Sequence, residues 1–232
     1  MTAADGKGTQ VREMFDELAP HYDLMNRIMT MGQDQRWRRF VVKQAGLTPG
    51  ARVLDLASGT GDIAFEVLRK QPDADVIAGD FSLGMLHQGK TRKGGDRLRW
   101  VACDAMTLPF ADASFDAVTF GYLLRNVEDI DVALKECLRV LKPGGRVVCL
   151  DTMPPQGITA PFARAYCKVM LPLLGRIFAG NPGAYTYLSD STMGFHTPEL
   201  LTTMFQRNGF ADVTFRTFMF RTVAVHWAHK PD

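Results

Sequence analysis

Apolar residues recur at helical spacing over 11–19 and 34–45, and Pro20 and the Gly46-Leu47-Thr48-Pro49-Gly50 cluster punctuate the two runs. From Arg52 the period changes. Val53-Leu54-Asp55-Leu56 is a short apolar run ending in a glycine-containing turn, after which 63–71 returns to helical spacing until Pro72. The alternation recurs as a strand over 76–80 and a helix over 82–93, a strand over 98–102 and a loop, then a strand over 117–120 and a helix over 129–141. A fifth strand over 146–151 closes the run. Strands alternating with helices predict a parallel sheet wound on both faces. Lys142-Pro143-Gly144-Gly145 reads as a helix stop, because proline cannot continue a helix and glycine tolerates the positive φ of a C-terminal cap. Strand five is expected directly after it.

Residues 152–193 break the rhythm with Pro154-Pro155, an apolar helical stretch and a tyrosine pair, and are expected to form an inserted helical lid over the carboxyl edge of the sheet, where ligand crevices lie. Thr197 caps a helix with Pro198 in its first turn and Gly209 past its end; 213–218 and 222–227 then read as a closing hairpin. At 232 residues and 46% apolar, one domain over 1–232 is expected, with 1–46 as an N-terminal helical segment and 1–10, polar and glycine-rich, as a frayed tail.

Lys plus Arg number 27 against 25 Asp plus Glu, a net +2 that gives no reason to expect a nucleic-acid partner. Cys103, Cys137, Cys149 and Cys167 are scattered, which indicates neither a disulfide framework nor a zinc site; His226 and His229 lack acidic neighbours in sequence, and no metal is expected. The longest apolar region, 162–180, is interrupted by Arg164, Lys168, Pro172 and Arg176, so no membrane span is expected and a cytoplasmic location follows.

Asp55-Leu56-Ala57-Ser58-Gly59-Thr60-Gly61-Asp62 is the sharpest local signal. Gly59 and Gly61 let a ligand approach the backbone where a side chain would collide. Gly59-x-Gly61-x-x-Ala64 with Asp80 further on also satisfies the dinucleotide fingerprint, so a nicotinamide dinucleotide is a live rival. Charge separates the two readings: Asp62 at the helix start and Asp55 at the strand end would repel a pyrophosphate, whereas S-adenosylmethionine has no phosphate and carries a sulfonium and an ammonium. On that reading Asp80 accepts from both ribose hydroxyls, Asp104 accepts from the adenine amino group, and the Ala105 N–H meets a ring nitrogen.

Tyr22-Asp23-Leu24-Met25-Asn26, Trp37-Arg38-Arg39, residues 54–62, Asp80-Phe81-Ser82, Leu108-Pro109-Phe110, Leu124-Arg125-Asn126-Val127, residues 139–145 and Tyr185-x-Tyr187-Leu188 together resemble the ubiquinone/menaquinone C-methyltransferase family over nearly the whole chain. The resemblance implies an α/β, Rossmann-like, seven-stranded, mostly parallel sheet of the class I S-adenosylmethionine-dependent methyltransferases, with N-terminal helices and a helical insertion after strand five. It implies methyl transfer to a ring carbon of a prenylated quinol, demethylmenaquinol foremost and a benzoquinol or other aromatic as the alternative. The shared cofactor segments place Asp55, Gly59, Thr60, Gly61, Asp80, Phe81, Asp104, Ala105 and Gly121 at the cofactor. The chain departs from the family's usual pattern where it reads Gly121-Tyr122-Leu123 and Asp151-Thr152-Met153.

A quinol carbon becomes nucleophilic as a neighbouring hydroxyl loses its proton, so the site needs a base and a group that stabilises the oxyanion. Arg125 and Asn126 are the candidates for orienting and stabilising that oxygen; Arg125 is always charged and is a base only through a water. Tyr22, Tyr185 and Tyr187 are candidate pocket walls or hydrogen-bond donors, and His21 is a candidate base by its ordinary pKa alone. A prenylated substrate resides in lipid. Arg164, Lys168 and Arg176 among Phe162, Tyr166, Val169, Leu173 and Phe178 are therefore expected to rest on an anionic membrane surface, with a packed lid as the plainer alternative.

Overall fold

The computed structural model describes residues 5–20, 22–158, 160–165 and 182–232. Three helices lead: α1 (Asp5–Leu18), α2 (Tyr22–Met29) and α3 (Asp34–Ala45). The sheet region follows as β1 (Arg52–Leu56), α4 (Asp62–Lys70), β2 (Asp75–Asp80), α5 (Leu83–Thr91), β3 (Arg99–Ala102), β4 (Phe115–Gly121), α6 (Ile130–Val140) and β5 (Leu141–Thr152). Then come α7 (Ala160–Ala165), α8 (Pro182–Met193), α9 (Pro198–Arg207), β6 (Ala211–Phe218) and β7 (Val223–His229). The apolar stretch beyond α7 and His21 lie outside the described residues, and with them Tyr166, Cys167, Lys168, Val169, Leu173, Arg176 and Phe178.

The seven strands are ordered β3-β2-β1-β4-β5-β7-β6. β1 to β5 pair in parallel, and β7 runs antiparallel between β5 and β6, so the expected hairpin closes the sheet with its second strand inward. Burial on both faces explains the continuous apolar runs in β1, β2 and β4. Leu54, Phe120, Leu134 and Phe205 centre one core beneath α6 and α9, while Val53, Ala64, Val41 and Val148 centre the other beneath α3 and α4.

Three expectations change. Residues 5–10 belong to α1 and are not a tail. α2 was not foreseen, since eight residues give too few turns for a period to show. Strand five begins at Leu141, before the Lys-Pro-Gly-Gly stop: Leu141 pairs with Phe115 and Arg146 with Ala117, so residues 142–145 bulge out of a strand already begun. Gly144, at φ +71°, turns that bulge and donates its N–H to the Lys230 carbonyl at 2.9 Å.

Candidate active site

The turn after β1 is fastened from below. Asp55 is fully buried; its Oδ1 accepts from Thr119 Oγ1 at 2.7 Å, and its Oδ2 accepts from Ser58 Oγ at 2.8 Å and the Ala64 N–H at 3.2 Å. Burial pushes this carboxyl up to about 7. Asp80, at the end of β2, holds the turn from the side, accepting the Gly59 N–H at 2.7 Å through Oδ2 and the Ser82 N–H at 2.8 Å through Oδ1. Burial raises it to about 6. Asp104, beyond β3, accepts the Met106 N–H at 2.8 Å and so fixes its own loop.

A cleft of about 360 Å³ opens at this carboxyl edge, and Gly59, Asp80, Phe81, Asp104, Ala105 and Gly121 line it together. Asp55, Thr60 and Gly61 do not line it. Thr60 instead donates to Asp23 Oδ1 at 2.6 Å and is buried. Gly61 has φ +91°, and a Cβ there would sit 2.7 Å from the Trp100 ring and 3.2 Å from Phe65, so its glycine is required by packing and backbone, not by ligand approach. Gly61→Ala is expected to lower stability by about 1–3 kcal/mol with no ligand present. Urea unfolding without cofactor checks this; an unchanged midpoint would return Gly61 to a ligand-contact role.

The repulsion expected at Asp62 is not there. Asp62 Oδ1 pairs with Arg92 Nη1 at 2.6 Å and Oδ2 pairs with Arg38, which also holds Asp34 at 2.6 Å. Two guanidiniums neutralise it. The acids that do face the cleft are Asp80, Asp104 and Glu128, against Arg12 as the one cation among the described lining residues. Three carboxylates against one guanidinium still disfavour a diphosphate and suit a sulfonium and an ammonium, so the preference survives on different residues.

The roof of the cleft is α1, a helix expected over 11–19 but with no place at the site foreseen for it. Gly8, Val11, Arg12 and Phe15 lie over it. Asp16 Oδ1 locks the helix down by accepting from Ser82 Oγ at 2.5 Å and the Gly84 N–H at 2.8 Å. Arg12 lies over the Phe81 ring at 5.6 Å.

Beside the cleft is a second cavity of about 470 Å³, and Phe15, Tyr22, Tyr122 and Asn126 line both. Its other walls are mostly apolar and methionine-rich, with Met14, Met25, Met29, Met31 and Met219, flexible side chains that conform to an irregular guest. Arg125 is the one charged side chain among its described lining residues. Arg125 Nη1 donates to Asp151 Oδ1 at 2.7 Å and Thr152 Oγ1 at 3.0 Å, and its guanidinium lies 4.9 Å from the centre of the Tyr122 ring. Asn126 Nδ2 donates to the Tyr122 carbonyl at 2.7 Å, and its Oδ1 accepts from the Tyr187 hydroxyl at 3.0 Å. Burial raises the Tyr22 phenol, with Arg38 and Arg125 pulling the other way. The Tyr185 side chain lies outside what is described.

Tyr122, singled out in the sequence only as part of a departure from the family's usual pattern, lines both cavities. It has φ +61°, a costly backbone for an aromatic residue, and strain of this kind persists where surrounding structure holds it for use. Its N–H donates to the Leu150 carbonyl at 2.7 Å, which ties the strained residue to β5. Its signal in the sequence was its place in that departing segment, just ahead of Arg125.

Strand order, an antiparallel seventh strand and an acid-lined crevice at the carboxyl edge are those of the class I methyltransferase fold. The fold matches a Haemonchus contortus phosphoethanolamine N-methyltransferase 2 solved in complex with S-adenosyl-L-methionine, with TM-score 0.65 and 18% identity over 85% of this chain and 53% of that one. The chain belongs to the ubiE/COQ5 methyltransferase family, whose model matches residues 3–230. It is 55% identical to a ubiquinone/menaquinone biosynthesis C-methyltransferase of Desulfotalea psychrophila over 97% of this chain and 92% of the relative. It is 42% identical to a demethylmenaquinone methyltransferase of Thermus thermophilus over 94% of this chain and 100% of the relative.

Proposed function

We propose that the protein methylates a ring carbon of a prenylated quinol, demethylmenaquinol foremost, with S-adenosylmethionine as methyl donor. The observation that carries this is the pair of abutting cavities, one acid-lined and one apolar, separated by Phe15, Tyr22, Tyr122 and Asn126. The names of the Desulfotalea and Thermus relatives support the same substrate class.

When bound, S-adenosylmethionine supplies an electrophilic methyl group. Asp80 and Asp104 would hold its ribose and adenine, and Gly59 leaves room for it at the turn. The acceptor ring would sit in the apolar cavity with a hydroxyl at Arg125, which donates to that oxygen as the hydroxyl proton, and then the proton of the methylated ring carbon, pass to solvent at the open end of the cavity. Asn126, fixed by Tyr187 and the Tyr122 carbonyl, and Tyr22 orient the ring along the line of attack. The apolar walls disfavour water around the ring.

At the rim of the apolar cavity Met31, Phe162 and Phe220 are 67%, 81% and 68% exposed. Arg27, Arg164 and Arg221, each within four residues of one of these, are exposed, which suits contact with an anionic membrane surface from which a prenyl chain is drawn. No helix among the described residues is long and apolar enough to cross a membrane.

The test uses S-adenosylmethionine labelled in its methyl group, anionic vesicles and a panel of reduced demethylated quinones. Label is expected in extracted quinone, most of it in the prenylated naphthoquinone. Label in no quinone, from protein that binds the cofactor, overturns the proposal; preference for benzoquinol moves the substrate within the same class.

A further inference from the structure

Arg125 does not face the apolar cavity as a free cation. Its side chain is 4% exposed and that of Asp151 is 0% exposed, and the two are joined at 2.7 Å. Asp151 cannot swing away. It is the penultimate residue of β5, opposite Ala224 of β7, and its Oδ1 also accepts the Thr152 N–H at 2.8 Å. One cation and one anion therefore cancel at the polar end of a cavity that has no other charged residue among its described walls.

The pair is also incompletely bonded. Arg125 Nε and Asp151 Oδ2 are buried with no partner among the described residues. Both atoms are closed off from the cavity, and Asp151 is not among its described lining residues, so a guest meets the pair only through the rest of the Arg125 guanidinium. A carboxylate or sulfonate entering the cavity would meet a guanidinium whose charge is already matched by Asp151. A bare buried guanidinium would do the reverse, since its planar fork recognises oxyanions.

From this we infer that Asp151 is a positioning residue that sets substrate specificity: by cancelling the net charge of Arg125 it makes the cavity bind uncharged hydroxylated rings in preference to rings that carry a permanent anionic group, while the guanidinium N–H groups still donate to the partial charge that develops on a bound hydroxyl. The inference rests on the reading of this cavity as the acceptor site. It implies that any acidic substituent must be removed from the ring, or masked, by an earlier reaction.

Naphthalene-2-sulfonate and 2-naphthol serve as anionic and neutral probes, titrated against full-length protein in the presence of S-adenosylhomocysteine and followed by Trp37, which lines the cavity, or by calorimetry. Wild type is expected to bind the naphthol at least about tenfold more tightly than the sulfonate, and Asp151→Asn to gain at least about tenfold for the sulfonate while the naphthol changes less than about threefold. Equal affinities in wild type, or no gain in a folded Asp151→Asn, overturn the inference. If that variant does not fold, Arg125→Met/Asp151→Leu decides: this double variant, neutral by another route, should still bind naphthol and exclude sulfonate, and sulfonate uptake by it overturns the inference. Because these are binding measurements, wild type that methylates no quinol but shows the inversion sinks the functional reading alone. Wild type that methylates quinol without the inversion sinks this inference alone.

Discussion

Asp80→Ala is expected to weaken S-adenosylmethionine binding by roughly ten- to a hundredfold, the equivalent of about 1.5–3 kcal/mol for a charged hydrogen-bond acceptor. Asp80 does two things at once. It holds the glycine turn through the Gly59 N–H and starts the α5 segment through the Ser82 N–H, and the remaining lone pairs of its carboxylate are the ones available to ribose hydroxyls. Asp80→Asn separates these roles, because an amide keeps one oxygen acceptor. The pH dependence gives a second handle. Burial raises this carboxyl from 3.8 to about 6, so the ionised acceptor prevails above that pH and is lost as the pH falls through it. Cofactor affinity measured by calorimetry between pH 5 and 8 should therefore decline on the acid side in wild type and lose that inflection in the Asn variant. Affinity in Asp80→Ala equal to wild type would remove Asp80 from the cofactor.

What was legible in the sequence follows a physical line. Strands buried on both faces announce themselves as apolar runs, and α3 and α9 carry enough turns, with Gly46 after the first and Thr197-Pro198 before the second, to show both period and ends. The eight residues of α2 do not, and the bulge at 142–145 cannot be told from a helix stop because proline and glycine serve both. The acids at strand ends were readable as a set, since strand ends in a parallel sheet share one edge; Asp80 and Asp104 line the cleft there. Which acid faces a ligand was not readable. Asp62 is neutralised by Arg38 of α3 and by Arg92 just past the end of α5, partners 24 and 30 residues away in sequence, and Asp55 is turned to Thr119, its register partner on β4. The same blindness to tertiary placement hid α1 as the roof and Tyr122 as a wall common to both cavities.

Arg125→Ala is expected to lower kcat by about 10²–10³, the range for removing one preorganised donor to a developing oxyanion, while cofactor affinity changes little because Arg125 lines only the apolar cavity. It should also cost about 3–5 kcal/mol of stability, because truncation leaves Asp151 buried and uncompensated. The two losses have separable signatures. Burial already raises the Asp151 carboxyl and Arg125 is the main influence lowering it, so the variant's Asp151 moves higher still. A carboxyl whose folded pKa lies above its unfolded value is destabilising when ionised, so the stability deficit should be largest at alkaline pH and shrink as the pH falls and Asp151 takes up a proton. Urea unfolding at pH 5.5 and pH 8 reads this directly, and a deficit independent of pH would show that Asp151 is not the group left behind. Adding Asp151→Leu to Arg125→Ala should recover much of the stability at pH 8 and none of the turnover. Recovery of both would mean that Arg125 serves the fold alone, and the developing charge on the quinol oxygen would then have to be met by Asn126 or Tyr22.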